Sequence, residues 1–172
     1  MHGRKLNRLS RFNYSSNGYY FVTICTKDMK QWFGKVVNRR MQLNDYGNIV
    51  VKQWIWLQEK YSYVTLDKYI VMPNHMHGIV VIKDYAFTVG TTLGLSLQNS
   101  HMSALSKIVC AFKTTSSKLI HQNGFQSFQW QRSFYDHIIR NETSLNSIRN
   151  YITYNPYKWE IDEYNPERHF NY

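Results

Sequence analysis

Val71-Met72-Pro73-Asn74-His75-Met76-His77-Gly78-Ile79-Val80-Val81-Ile82 is the stretch on which the fold of this 172-residue chain turns. Pro73 and Asn74 are turn formers, and residues 79–82 are apolar and β-branched, so a turn feeds a strand. Side chains alternate along a strand, which puts His75 and His77 on one face and Met76 on the other. Two imidazoles on one face, spaced by a residue anchored in a core, can grip a divalent ion or a phosphate oxygen. The same pattern suits two half-buried histidines bonded to backbone, and the motif alone leaves both readings open.

Outward from it, residues 65–71 form a strand that the Met72-Pro73-Asn74 turn folds back onto the histidine strand. Residues 19–25 (YYFVTIC) are aromatic and β-branched and read as another strand. Residues 26–42 read as a loop or hairpin, with a turn at Phe33-Gly34 and a short strand at Lys35-Val36-Val37. Asn44 can cap a helix reaching about Tyr61, because Ile49, Val50, Trp54, Leu57 and Tyr61 recur at helical spacing. Ser103 opens a second helix whose buried face is Leu105, Ile108, Val109, Phe112, Leu119 and Ile120. Residues 128–141 alternate like a strand in their second half. Thr143 then caps a third helix that runs to about Asn155, closed by Pro156, with Leu145, Ile148 and Ile152 as its core face. Residues 84–102 show no period and read as a loop, of the length that is functional or disordered. This order predicts an α+β domain over residues 1–172, helices packed on an antiparallel sheet.

Composition narrows the function classes. Apolar residues make up 43% and aromatics 16%, too much bulky side chain for a disordered protein. Twenty-one Lys and Arg against 11 Asp and Glu leave +10, a charge that favours polyanions, while the aromatics suit stacking on unpaired bases. Arg4, Lys5, Arg8 and Arg11 lie in an acid-free arm, residues 1–18, placed to follow a phosphate backbone or to stay solvated. Cys25 and Cys110 both adjoin apolar residues and read as two buried, reduced thiols of a cytoplasmic protein. No signal peptide and no stretch of membrane-spanning length is visible.

At 100° per residue, Tyr151 and Asn155 fall one turn apart on the flank of the third helix's core face, where both can look into a cleft. Tyr154 points away, and Tyr157 follows the Pro that ends the helix. Tyr135 and His137 share a face of the preceding strand. His137 reads as a hydrogen-bonded structural residue, or as one that assists protonation or touches DNA. Lys113 is a candidate for phosphate contact or part of a solvated helix face, and Arg132 is a further candidate for DNA contact. His101 and His121 lack partners at ligand spacing.

Taken together, YYFVTIC (19–25), VMPNHMHGIVVI (71–82), WQRSFYDHIIRN (130–141) and YITYNP (151–156) resemble, in order, the single-tyrosine transposases of the HUH nuclease class. The nearest likeness is to REP-associated tyrosine transposases. The resemblance implies a ferredoxin-like antiparallel sheet with the histidines on a central strand. It implies a Mg²⁺ or Mn²⁺ ion held by His75 and His77, with Asn155 standing where the family often has a third, amide ligand. Tyr151 would be the nucleophile, joining the 5′-phosphate at a nick in single-stranded DNA and leaving a free 3′-hydroxyl. The implied partner is single-stranded DNA with hairpin or repeat ends, bound by a monomer or a homodimer. Other classes to weigh are a catalytically vestigial DNA-binding regulator, a replication or mobilisation nickase of the same chemistry, and a metal-dependent hydrolase without a covalent step.

Overall fold

A computed structural model describes residues 16–85 and 102–168. Arg4, Lys5, Arg8 and Arg11, His101 and most of the 84–102 loop lie outside them.

Four strands, β1 (Gly18–Cys25), β4 (Val64–Val71), β5 (His75–Ile82) and β6 (Tyr135–Ile139), form an antiparallel sheet in the order β4-β5-β1-β6. Helix α1 (Asp45–Lys60) crosses from β1 to β4, and α2 (Ala104–Gln122) crosses from β5 to β6. This is the ferredoxin-like βαββαβ arrangement, with β1 and β5 at the centre. A small hairpin, β2 (Gly34–Val37) and β3 (Arg40–Leu43), precedes α1. Helix α3 (Glu142–Tyr154) follows β6 and runs into a 3-10 segment, Asn155–Ile161.

Strand parity decides which helices cover which face. Tyr20, Val22 and Ile24 of β1 and Met76, Val80 and Ile82 of β5 point into the larger core, against Val50, Trp54 and Leu57 of α1 and Ile108, Val109 and Phe112 of α2. Phe21 and Ile79 point the other way, with Ile139, into a smaller core closed by Leu145 and Ile152 of α3. Every residue of β5 is buried, as expected of a central strand covered on both faces. The histidine face is therefore the α3 face.

Gly78 marks how tightly the sheet meets α1. A Cβ there would run into the six-membered ring of Trp54, which is fully buried and stacks edge-on against Phe112 at 5.2 Å. Gly78→Ala is expected to destabilise the protein by about 1–3 kcal/mol through overpacking, read from its urea midpoint.

Several sequence expectations change. The hairpin turn sits at Asn38-Arg39, both with positive φ (49° and 59°), and not at Phe33-Gly34. Helix α3 is capped by Asn141, whose side chain accepts the Ser144 N–H at 2.8 Å, instead of by Thr143. Asn and Thr are both cap formers; β6 ends at Ile139, so the chain reaches extended backbone and an acceptor two residues earlier. Leu119 is 37% exposed although the next residue, Ile120, is fully buried, because it falls at the edge of the buried face and lines an open cleft with Asn48, Ile49 and Lys52 of α1. Cys110 is exposed, and only Cys25 is buried. The caps at Asn44 (accepting Gly47 N–H) and Ser103 (accepting Ser106 N–H) are as expected.

Candidate active site

The site begins at the turn between β4 and β5. The Asn74 side chain donates through Nδ2 to two backbone carbonyls, Met29 at 2.9 Å and Tyr164 at 2.7 Å. With its nitrogen so committed, Asn74 can only accept at Oδ1, which lies 2.8 Å from Nδ1 of His75. His75 therefore carries its proton on Nδ1 and presents Nε2 as an acceptor. His77 places Nδ1 2.8 Å from the Thr23 hydroxyl on the neighbouring strand. The two Nε2 atoms face each other at 3.0 Å.

Burial holds His75 well below its ordinary value and His77 down to about 3, the adjacent His77 adding to the effect on His75. Both rings are thus neutral, the form in which imidazole binds metal. Phe21 stacks on His77 at 5.4 Å between centroids, fixing the ring from the β1 side.

Helix α3 carries Tyr151 across this face. Its hydroxyl lies 3.2 Å from Nε2 of His77, and its ring packs edge-on to His77 and Phe21. Burial raises the Tyr151 phenol above its ordinary value, and the charge of Asp162 raises it further, while the adjacent Asn155 carboxamide pulls slightly the other way. The resting side chain is therefore a neutral phenol. Tyr154 and Tyr157 face solvent at 53% and 55% exposure.

The helix is pinned in place from β4. A register shift between Leu66 and Tyr69 projects Asp67, and Arg149 grips it with two bonds, Nε to Oδ1 at 3.0 Å and Nη2 to Oδ2 at 2.6 Å. Arg149 lies two residues before Tyr151, so the pair ties to β4 the same stretch of α3 that carries the tyrosine.

Asn155 is buried at the end of α3. Its Nδ2 donates to Asp162 Oδ2 at 3.0 Å, and its Oδ1 is buried with no hydrogen-bond partner. An orphaned carbonyl costs free energy unless something else satisfies it. Tyr164 closes the pocket from above, its ring 4.6 Å from His75 and 5.7 Å from His77. His75 and His77 are 0% and 1% exposed, whereas Tyr151 beside them is 38% exposed.

His75, His77, Tyr151 and Asn155 thus come together in one chain. The remaining candidates do not join them. Lys113 donates to the carbonyls of Gln131 (2.8 Å), Ser133 (3.0 Å) and Arg132 (3.4 Å), and clamps the loop before β6. Arg132 lies in that loop, on the rim of an open cleft with His121 and Trp130. His137 is exposed on the outer strand β6, opposite Phe21 on the α3 face of the sheet. Among the described residues no group of three or more His, Cys, Asp or Glu is placed to share a metal. The atoms that fit one are the two histidine Nε2 nitrogens and the orphaned Asn155 oxygen, a mixed nitrogen and oxygen set.

Thr23, Asn74, Asp162 and Tyr164 are parts of this site that the sequence did not disclose. Asn74 read as a turn former, and the other three had only the strand or the tail to mark them.

No protein-family model matches the chain. A protein of Haemophilus influenzae (strain ATCC 51907 / DSM 11121 / KW20 / Rd), described only as "Uncharacterized protein", is 37% identical over 168 residues, covering 95% of this chain and 93% of its own. A second protein of that strain, "Putative REP-associated tyrosine transposase", is 26% identical over 152 residues, covering 86% of this chain and 75% of its own. The solved structure of a REP-associated tyrosine transposase bound to a REP hairpin superposes with a TM-score of 0.57 at 22% identity, covering 88% of this chain and 73% of that one. In sequence and in fold the chain is thus similar to tyrosine transposases, and among them to the REP-associated tyrosine transposases.

Proposed function

We propose that the protein is a metal-dependent single-stranded DNA transposase that nicks and rejoins strands beside a hairpin through a covalent phosphotyrosine. The observation that carries this reading is the Tyr151 hydroxyl, 3.2 Å from the Nε2 of a neutral, buried His77 in the same chain. The hairpin comes from the relative solved with one.

His75 and His77 would hold Mg²⁺ or Mn²⁺ through Nε2, with the Asn155 oxygen as third donor. When bound, the ion neutralises the non-bridging phosphate oxygens and orients the ester, an effect worth several kcal/mol in reactions of this kind. The chain's own residues do the rest. Phe21 and the Asp67–Arg149 pair hold the Tyr151 oxygen where it meets phosphorus in line. As the Tyr–O–P bond forms, the P–O3′ bond breaks, the phenol loses its proton and the departing 3′ oxygen gains one. The phosphotyrosine conserves the ester, so a 3′-hydroxyl can reverse the step and rejoin the strand. Because Tyr151 reaches the histidines of its own chain, a homodimer is not needed to complete the site.

Incubation with end-labelled single-stranded DNA carrying a hairpin, with Mn²⁺, should give a protein–DNA adduct on a denaturing gel. Nicking without an adduct would indicate a hydrolase, and hairpin binding with neither would indicate a regulator.

Asp67→Asn should slow adduct formation roughly tenfold while leaving hairpin affinity unchanged, because it loosens α3 without touching the histidines. The Arg149 hydrogen bonds hold the Asp67 carboxyl below the usual carboxylate range. Its contribution is therefore present above about pH 4 and is lost as pH falls through the lowered folded value. Adduct yield measured against pH in wild type and Asp67→Asn checks both statements.

A further inference from the structure

We propose that Asp162 is the positioning residue that turns the Asn155 carbonyl toward the metal, a role for the tail that rests on the metal-dependent reading above. Asn155 and Asp162 stand at the two ends of the 3-10 segment, which doubles the chain back so that one side chain meets the other. The Asp162 carboxylate is used at both oxygens. Oδ2 accepts from Asn155 Nδ2 at 3.0 Å and Oδ1 accepts from the Tyr164 backbone N–H at 2.8 Å. Two acceptors are required, one for a side-chain amide and one for a turn.

Only a carboxylate supplies both. A carboxamide at position 162 would present one oxygen and one NH₂. If its oxygen kept the Tyr164 turn, its NH₂ would face Asn155, and Asn155 would have to flip to offer Oδ1. The metal would then meet an NH₂ group, which cannot ligate. If its oxygen kept Asn155, the Tyr164 N–H would face a donor and the turn that seats the Tyr164 ring over both histidines would open. Asp162 is not itself a third ligand with the histidines, since no such cluster of acid and imidazole exists among the described residues. Its effect passes through Asn155.

Mn²⁺ binding, followed by electron paramagnetic resonance on the full chain without DNA, tests this. Asp162→Asn should weaken Mn²⁺ about tenfold or more, the usual cost of losing a residue that orients a ligand. Asn155→Ala should weaken it comparably, and the Asp162→Asn/Asn155→Ala double variant no further than Asn155→Ala alone. Unchanged affinity in Asp162→Asn, or a full second loss in the double variant, overturns the proposal. His75→Ala separates it from the reading beneath it. If wild type binds Mn²⁺ and His75→Ala does not, while Asp162→Asn binds normally, only the role of Asp162 falls. If wild type and His75→Ala are equally weak, the metal site itself falls, and this role with it. Should Asp162→Asn fail to fold, the wild-type chain decides. The Asn155 side-chain amide pair, assigned by its loss in Asn155→Ala, should exchange slowly and shift on adding Mg²⁺. A pair that exchanges like a surface amide, or ignores saturating Mg²⁺, overturns the proposal.

Discussion

Tyr151→Phe is expected to eliminate the covalent DNA adduct, a loss of at least a thousandfold, while leaving the fold and hairpin affinity in place. The substitution removes one oxygen from a side chain that is 38% exposed, so its stability cost should stay within about 1 kcal/mol. The ring that packs on His77 and Phe21 remains. What is lost is the only tyrosine oxygen described within hydrogen-bond reach of a histidine Nε2. Tyr154→Phe and Tyr135→Phe should leave the adduct largely intact, since Tyr154 faces solvent and Tyr135 is 44% exposed with its ring edge-on to Phe21. A denaturing gel and mass spectrometry of the adduct check this, and DNA found on another tyrosine would refute the mechanism.

Removal of the metal or of either imidazole should cost nearly as much. EDTA, His75→Ala and His77→Ala are each expected to reduce adduct formation by a thousandfold or more, the scale of several kcal/mol of charge stabilisation. His75→Ala also strands the Asn74 oxygen, so a stability loss of about 1–3 kcal/mol should accompany it, and a thermal melt must show the fold intact at the assay temperature. The pH profile is distinctive. With His77 near 3 and His75 held well below its usual value, neither gains a proton between pH 5 and 8. Adduct formation should show no break near 6.5 from these residues. The unfolded chain does take up protons as pH falls through about 6.5, so this pair's contribution to stability is present above that pH and is lost below it. Full activity in either alanine variant would remove the site from β5.

Much of this was written locally. The alternation of 71–82 assigned His75 and His77 to one face and Met76 to the other, because strand parity is a property of the backbone. The caps at Asn44 and Ser103, and the helical spacing that grouped Tyr151 with Asn155 and turned Tyr154 away, are short-range for the same reason. The Asn141 cap shows the limit of such reading: two good formers lay two residues apart, and the end of β6 chose between them. Cys110 and Leu119 show another. Both have buried neighbours in sequence, Val109 and Ile120, yet burial depends on which side of the helix a position falls and on what packs against that side.

What only the tertiary structure decided lies in contacts between residues far apart in the chain. Nothing local says that Asn74 spends its nitrogen on Met29 and Tyr164 and so fixes the His75 tautomer. The Asp67–Arg149 pair spans 82 positions and exists because a bulge in β4 lies under α3. The polar, aromatic tail offers no periodicity, so its sequence could not announce that Tyr164 roofs the histidines or that Asp162 holds Asn155. Local sequence determined which residues face the same way. Closure of the sheet and the return of the tail determined which of them meet, because hydrogen bonds act over about 3 Å and only the packed chain brings those groups that close.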